Sequence, residues 1–226
     1  MNTNLNLEEY ENTVIGKYLL VISENNDIQT GINKIYGICQ KAIDKINVEL
    51  IPALRKTNLL WRLKGSWADL IEQYLSETMN ELINEELLKY RWGLPGKQEK
   101  DIHCDKKQEN IILEELSFYG LDPNNSKSYS IEVKTTYNGS SCINNDVKYA
   151  KEPEIEGGKV KKSFYIFIYY DLPSNNEDIK LKKVQFSFLE QKDWHYLKKN
   201  GTEQSHSYIR INELREQKKL LDVIKI

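Results

Sequence analysis

Hydrophobic residues in the first 90 or so positions of the chain recur with the period of an α-helix. Over residues 65–88 they return about every 3.6 residues, which predicts an amphipathic helix. The apolar positions of this segment are Trp67, Leu70, Ile71, Tyr74, Leu75, Met79, Leu82 and Ile83. Ser66 is a candidate N-cap, with Asp69 three residues later as its capping-box partner. Residues 32–54 show similar spacing, and we expect Pro52 to interrupt that helix.

The pattern changes within residues 91–100, where Gly93, Pro95 and Gly96 predict a loop. Beyond it, β-branched and aromatic residues predict strands near 100–104, 110–116, 129–136, 162–171 and 181–189. Residues 163–172 are nearly all of these types, which is typical of a central strand covered on both faces. Residues 211–224 return to helical spacing. The order of elements predicts one α/β (α+β) domain over residues 1–226, with a mixed central β-sheet flanked by helices.

Composition narrows the classes of protein to which the chain can belong. The chain has 34 acidic and 32 basic side chains, so its formal net charge of −2 gives no overall positive field. A nucleic-acid-binding cleft with local positive charge remains compatible with that balance. The three cysteines show no C-x-x-C spacing, so we expect reduced thiols and no zinc site. The polar, acidic N-terminus and the lack of a long apolar run predict a cytoplasmic protein without a membrane span.

The stretch YSIEVKTT, residues 129–136, places two opposite charges on one face of a predicted strand. Ile131 and Val133 alternate with Glu132 and Lys134, so the apolar pair is expected to face a core and the charged pair the other side. The pattern acid-x-Lys occurs six times in the chain, so only its position in an apolar strand distinguishes this copy. A structural ion pair on the polar face of an edge strand is the alternative interpretation.

A second acid, Asp101 in the segment KDIHCD, follows the Gly- and Pro-rich loop. A meander through residues 106–128 could bring Asp101 beside Glu132. Two carboxylates on adjacent strands repel each other unless a cation lies between them, and oxygen ligands without Cys or His pairs favour Mg²⁺. Lys134 would then orient or deprotonate a water molecule, or stabilise charge on a phosphoryl oxygen. These groups are suited to hydrolysis of a phosphodiester bond.

Asp101 together with Glu132-x-Lys134 resembles the signature of the PD-(D/E)xK nucleases, with Lys100-Asp101 in place of Pro-Asp. A helix with a glycine and an acid precedes the signature in such nucleases, which indicates Glu72 as a further catalytic acid, with Asp69 as the rival. The order of the blocks KDIHCD, IEVKTT, NDVKYAK and VQFSFLEQKDW is similar to that of type II restriction endonucleases of the ScaI-like group. This resemblance covers roughly residues 60–197, and the block after the lysine diverges.

The resemblance implies a restriction-endonuclease-like fold and Mg²⁺-dependent cleavage of double-stranded DNA at a short palindromic site, within a restriction-modification system. Asp101 and Glu132 would bind the metal, and Lys134 would assist catalysis. Another nuclease of the superfamily, acting in repair or recombination, and a non-catalytic nucleic-acid-binding domain are the alternatives.

The loop after the strand offers polar groups that read base edges or grip phosphates. We expect DNA contacts from Asn138, Ser140, Ser141, Lys148, Tyr149 and Lys151. The segment 178–199 adds six lysines against three acids as candidate phosphate contacts. A palindromic site also implies a two-fold symmetric homodimer. We assign residues 1–60 to a helical region for dimerisation or DNA contact, and residues 61–226 to the catalytic core.

Overall fold

The computed structural model describes residues 7–23, 27–63, 66–84, 92–93, 103–104, 131–137, 144–146, 163–199 and 202–223. Its α-helices are α1 (Val14–Ser23), α2 (Ile28–Glu49), α3 (Ile51–Lys56), α4 (Trp67–Asn84) and α5 (Ile211–Glu216). Short 3₁₀ turns occupy Leu7–Tyr10, Leu60–Leu63 and Gln191–Asp193. Among the helices in these ranges, none is long and apolar enough to cross a membrane.

The helices begin and end where local chemistry favours it. The side chain of Asp27 caps α2 by accepting hydrogen bonds from the backbone N–H groups of Gln29 and Thr30, both at 3.0 Å. Pro52 lies in the first turn of α3, where its missing N–H costs no helical hydrogen bond. The predicted interruption at Pro52 is therefore confirmed, and α4 confirms most of the helix predicted over residues 65–88.

The strands are β1 (Trp92–Gly93), β2 (His103–Cys104), β3 (Ile131–Tyr137), β4 (Asn144–Asp146), β5 (Ser163–Asp171), β6 (Lys180–Leu189), β7 (His195–Lys199), β8 (Thr202–Tyr208) and β9 (Leu220–Val223). The largest sheet has the order β3-β5-β6-β9. In it, β3 runs parallel to β5, whereas the pairs β5–β6 and β6–β9 are antiparallel. The sheet is therefore mixed, as predicted, and β5 is a central strand.

Two smaller sheets accompany it. Strands β1 and β2 form an antiparallel pair, and β4, β8 and β7 form a three-stranded sheet in that order. Through its pairing with β8, the β4 segment of the polar loop after β3 is attached to the C-terminal part of the chain.

Helices α1, α2 and α4 cover one face of the largest sheet. Their apolar side chains share a core with alternate residues of β3, β5, β6 and β9. The ring of Tyr18 stacks on Phe164 with 4.0 Å between centroids, and Phe164 stacks on Phe186 at 5.5 Å. The N-terminal helices are therefore part of the main core, and a helix-flanked α/β fold is confirmed.

The prediction of a helix over residues 211–224 is wrong after Glu216. Helix α5 ends there, and Lys218 adopts a left-handed conformation with φ of 57° that turns the chain. Leu220–Val223 then pairs with β6 as β9, and Leu220, Leu221 and Val223 are all buried. The strands β7 and β8 were not predicted either, because their polar sequences lack the apolar alternation of a half-buried strand.

Candidate active site

Glu132 and Lys134 lie on the face of β3 opposite to the helix-covered core. Ile131 and Val133 belong to that core, as predicted, whereas Glu132 aligns with Tyr165 of β5 and Lys134 with Phe167. Lys134 Nζ donates a hydrogen bond to Glu132 Oε1 at 2.6 Å. The carboxylate is almost completely buried, with 1% of its side chain exposed, while 24% of the lysine side chain is exposed. The two charges therefore form a close ion pair with only one end in contact with solvent.

The burial of Glu132 separates this pair from an ordinary surface ion pair. An exposed pair contributes about 0–1 kcal/mol and costs little to form. Removing a carboxylate from water costs several kcal/mol, which the attraction of an ammonium group offsets only in part. Strand β3 is the terminal strand of the sheet within the described part of the chain, so the edge position that the structural alternative requires is also present. The edge position accounts for a polar face, but it does not account for a buried carboxylate.

The apolar surroundings of the pair come from a second, smaller core. Tyr165 and Phe167 pack there with Leu189, Trp194, Ile209, Leu214 and Leu220. The rings of Tyr165 and Trp194 are 5.8 Å apart between centroids. A low-polarity wall beside the charged pair strengthens electrostatic interactions at the site.

The rival acids on α4 differ in exposure. Glu72 is partly buried, whereas Asp69 is exposed. Helix α4 packs on the face of the sheet that carries Ile131 and Val133, because Trp67, Ile71 and Leu75 share their core. The structure therefore places Glu72 at a partly buried position of α4, and its role in the site stays a prediction.

The other predicted site residues lie outside the described residues. These are Asp101, Asn138, Ser140, Ser141, Lys148, Tyr149 and Lys151. Asp101 is two positions before β2, and β4 is the described part of the loop that carries the predicted DNA contacts. Within the described ranges, no three His, Cys, Asp or Glu side chains group closely enough to hold a metal ion.

Sequence reasoning missed a polar cluster on the same sheet face as Lys134. Gln185 aligns with Phe167 on one side and with Asp222 on the other, and Lys183 aligns with Tyr169. Gln185 is fully buried, accepts a hydrogen bond from Tyr169 Oη at 2.8 Å and donates one to Asp222. The polar alternation at positions 183, 185 and 187 was the available signal.

A third set of charges fixes the segment that follows β6. Lys219 Nζ donates to Glu190 at 2.9 Å and to the buried Asp193 at 2.7 Å. Burial alone raises the pKa of Glu190, but hydrogen bonds from Lys219 and Lys192 outweigh burial and lower this pKa from 4.5 to about 2. This network joins the turn at Gln191–Asp193 to the start of β9 and has a structural role.

A comparison with known protein families shows that part of the chain is similar to one of them. The family model of the ScaI restriction endonuclease matches residues 121–224, a little under half of the chain. The matched range includes Glu132 and Lys134 and begins after Asp101 and α4. The resemblance to ScaI-like restriction endonucleases that the motifs predict is confirmed by this match.

No curated protein matches the chain. Among solved structures, the crystal structure of the restriction endonuclease BglI bound to its DNA recognition sequence is similar over 98% of this chain and 99% of that chain. The TM-score is 0.42 and the sequence identity is 12%.

Proposed function

We propose, from the match of residues 121–224 to the ScaI restriction endonuclease family, that this chain is a type II restriction endonuclease. It would hydrolyse phosphodiester bonds of double-stranded DNA at a short palindromic sequence, as part of a restriction-modification system. The observation that carries the proposal is the buried Glu132 paired with Lys134 at 2.6 Å, on the strand that the matched range contains.

Glu132 is the acid to which we assign metal binding. A carboxylate oxygen is a hard ligand of the kind that Mg²⁺ prefers, and its buried position holds it in one orientation. Asp101 is the second proposed ligand, and Glu72 a further acid of the site. Bound Mg²⁺ would supply Lewis acidity at the phosphoryl group and lower the pKa of attacking water.

Lys134 is assigned to stabilisation of charge. Its Nζ donates a hydrogen bond to Glu132, and an ammonium group has three N–H donors, so it can also donate a hydrogen bond to a phosphoryl oxygen. Lys134 is the partly exposed member of the ion pair, so it is the member that substrate can reach. A preorganised ammonium beside an apolar wall is effective because it needs little reorganisation when negative charge develops.

The DNA contacts and the assembly are proposals of the same kind. The loop that contains Asn138, Ser140, Ser141, Lys148 and Lys151, with Tyr149, would supply base and phosphate contacts. A homodimer would match the symmetry of a palindromic site. A molar mass corresponding to one chain, in the presence and absence of cognate DNA, would argue against the dimer. Such an enzyme would act in the cytoplasm.

A digest of a fully sequenced plasmid tests the proposed function. With Mg²⁺ we expect discrete fragments whose ends share one short sequence, and with EDTA we expect intact plasmid. A smear would indicate a nuclease without sequence specificity, such as a repair enzyme. An intact plasmid with every divalent metal would favour a non-catalytic nucleic-acid-binding domain.

A further inference from the structure

The sheet face that carries Glu132 and Lys134 continues into a polar cluster formed by Tyr169, Lys183, Gln185, Arg215 and Asp222. Alternate residues of a strand share a face, and aligned residues of neighbouring strands share it too. The alignments Lys134 with Phe167, Phe167 with Gln185, and Tyr169 with Lys183 therefore place the cluster and the ion pair on one face of the sheet, with the buried Phe167 between them.

Hydrogen bonds fix the position of the cluster. The side chain of Gln185 is completely buried and bonds at both ends, to Tyr169 and to Asp222. Arg215 donates to both carboxylate oxygens of Asp222, at 3.1 and 3.3 Å. Buried polar groups that are satisfied in this way are rigid, because breaking one bond leaves a desolvated partner.

Lys183 makes the longest of the lysine ion pairs that the structure describes within residues 178–199, with Asp222. Its Nζ lies over the ring of Tyr169, 4.9 Å from the centroid, in a cation–π contact. The nearest Asp222 oxygen is 3.7 Å away, which is longer than a hydrogen bond. About two fifths of the Lys183 side chain is exposed (39%), so the ammonium can reach a ligand.

Three other lysines within residues 178–199 make shorter ion pairs than Lys183 does. Lys180 pairs with Glu177 at 3.3 Å, Lys182 with Asp171 at 3.0 Å and Lys192 with Glu190 at 3.0 Å. In each of these pairs the nearby carboxylate neutralises much of the lysine charge. Among the six candidate lysines of residues 178–199, we therefore do not assign a phosphate contact to these three. Among the described residues of the cluster, the positive charges of Lys183 and Arg215 oppose the single negative charge of Asp222, which already pairs with Arg215. The cluster therefore has a net positive charge, which favours an anion.

Resting on the proposed function, we propose that Lys183 binds a phosphate of the DNA backbone close to the phosphodiester bond that is cleaved. Neighbouring strands lie about 4.8 Å apart, and two residues along a strand add roughly 6.6 Å. The Cα atoms of Lys134 and Lys183, two strands apart, are then about 12 Å from each other. Because duplex DNA carries a charge every ~1.7 Å of its axis, one duplex can contact both lysines. Tyr169, Gln185, Asp222 and Arg215 are positioning residues for Lys183.

The test compares Lys183→Ala with Lys182→Ala, a neighbouring lysine that pairs with Asp171 instead. Binding is measured by fluorescence anisotropy over a series of salt concentrations with Ca²⁺ present, on a duplex that contains the sequence cut in the plasmid digest. For Lys183→Ala we expect affinity to fall roughly tenfold for each bound subunit, as for one lost charge-assisted bond per subunit. We also expect the slope of log K against log salt to become shallower by about 0.9 for each bound subunit. Lys182→Ala should behave as the wild type does.

Equal affinities and equal salt slopes for the two variants would overturn the inference. If the wild type also cuts the plasmid at one sequence, that result leaves the proposed function intact. A wild-type protein that neither binds nor cuts DNA would overturn the proposed function and, with it, this inference. Circular dichroism of both variants excludes misfolding as the cause of a loss.

Discussion

The two faces of the four-stranded sheet are built from the same strands and differ in chemistry. The face toward α1, α2 and α4 carries buried apolar side chains on each strand. The opposite face carries Glu132, Lys134, Lys183, Gln185 and Asp222, together with the smaller core that contains Tyr165 and Phe167. Strand β6 shows the alternation most directly, because Val184 and Phe186 face the helices while Lys183 and Gln185 face the other way.

This difference between the two faces indicates how the fold accommodates buried charges, which are unfavourable in free energy. Buried charges are stabilised poorly by their partners alone, so they require a scaffold whose stability comes from elsewhere. The helix-covered face provides that stability through apolar burial, which contributes about 1.5–3 kcal/mol for each large side chain. Substitutions on the polar face should therefore change activity, and substitutions on the apolar face should change stability.

The largest effect is expected for Glu132→Gln, which keeps the size of the side chain and removes its charge. We expect the cleavage rate with Mg²⁺ to fall by about 10³-fold, within the range found for loss of a catalytic group. DNA binding in EDTA should be unchanged or tighter, since a negative charge is removed. Glu177→Gln, an exposed carboxylate that pairs with Lys180, is the matched control and should cleave normally. Cleavage by Glu132→Gln at the control rate would contradict the assignment.

The apolar face is tested by Phe186→Ala. Phe186 is fully buried and lies against the rings of Phe164 and Tyr18. Its truncation should lower the free energy of unfolding by about 3–5 kcal/mol, through lost burial and a cavity. Urea denaturation measures this loss. Activity per folded molecule should be unchanged, and a loss of activity in fully folded protein would break the separation between the two faces.

A smaller effect on the same face is expected for Gly31→Ala in α2. A Cβ at Gly31 would lie 2.3 Å from the carbonyl oxygen of Leu19 in α1, so the two helices would have to move apart. We expect a loss of about 1–3 kcal/mol. In the same helix, a Cβ at Gly37 meets nothing within 4 Å, and Gly37→Ala should stabilise the protein by about 0.5–1 kcal/mol. The unfolding temperatures of the two variants should shift in opposite directions from that of the wild type. Equal shifts would contradict the packing of α2 against α1.

A further effect concerns the dependence of the protein's stability on pH, through Glu190. Its pKa is lowered from 4.5 to about 2 in the folded protein. A lowered pKa contributes stability that is fully present above the unfolded value of 4.5 and is lost as the pH falls through about 2. Glu190→Gln should therefore be less stable than the wild type near neutral pH, and the difference should shrink through this window. If the unfolding free energies of the wild type and Glu190→Gln differed by the same amount at neutral and acidic pH, the stabilisation would not come from the ion pairs of Glu190.

The sequence predicted those parts of the fold that depend on local patterns. The helical period of the apolar residues predicted α4, and Pro52 predicted the interruption after α2. The run of aromatic and β-branched residues predicted β5 as a central strand. The same alternation assigned Ile131 and Val133 to the core and Glu132 and Lys134 to the opposite face. These predictions succeeded because each depends on a few neighbouring residues.

Features that depend on distant residues could not be predicted. A strand pattern shows which residues share a face but not what covers that face, so the burial of Glu132 was not visible. Strand β9 was taken for helix because its apolar residues also fit a helical period, and pairing with β6 decided the outcome. The cluster around Lys183 joins residues from β5, β6, α5 and β9, which no local signal brings together.

If the Glu132–Lys134 pair performs chemistry on DNA, Lys134→Ala should abolish cleavage. Plasmid cleavage with Mg²⁺ is compared with that of Lys180→Ala, which removes an exposed lysine whose partner is Glu177. We predict that Lys180→Ala gives the wild-type fragments, and that Lys134→Ala gives none while remaining folded and bound to the same duplex. Wild-type fragments from Lys134→Ala would contradict a role of the pair in cleavage and would show that it is a structural feature of β3.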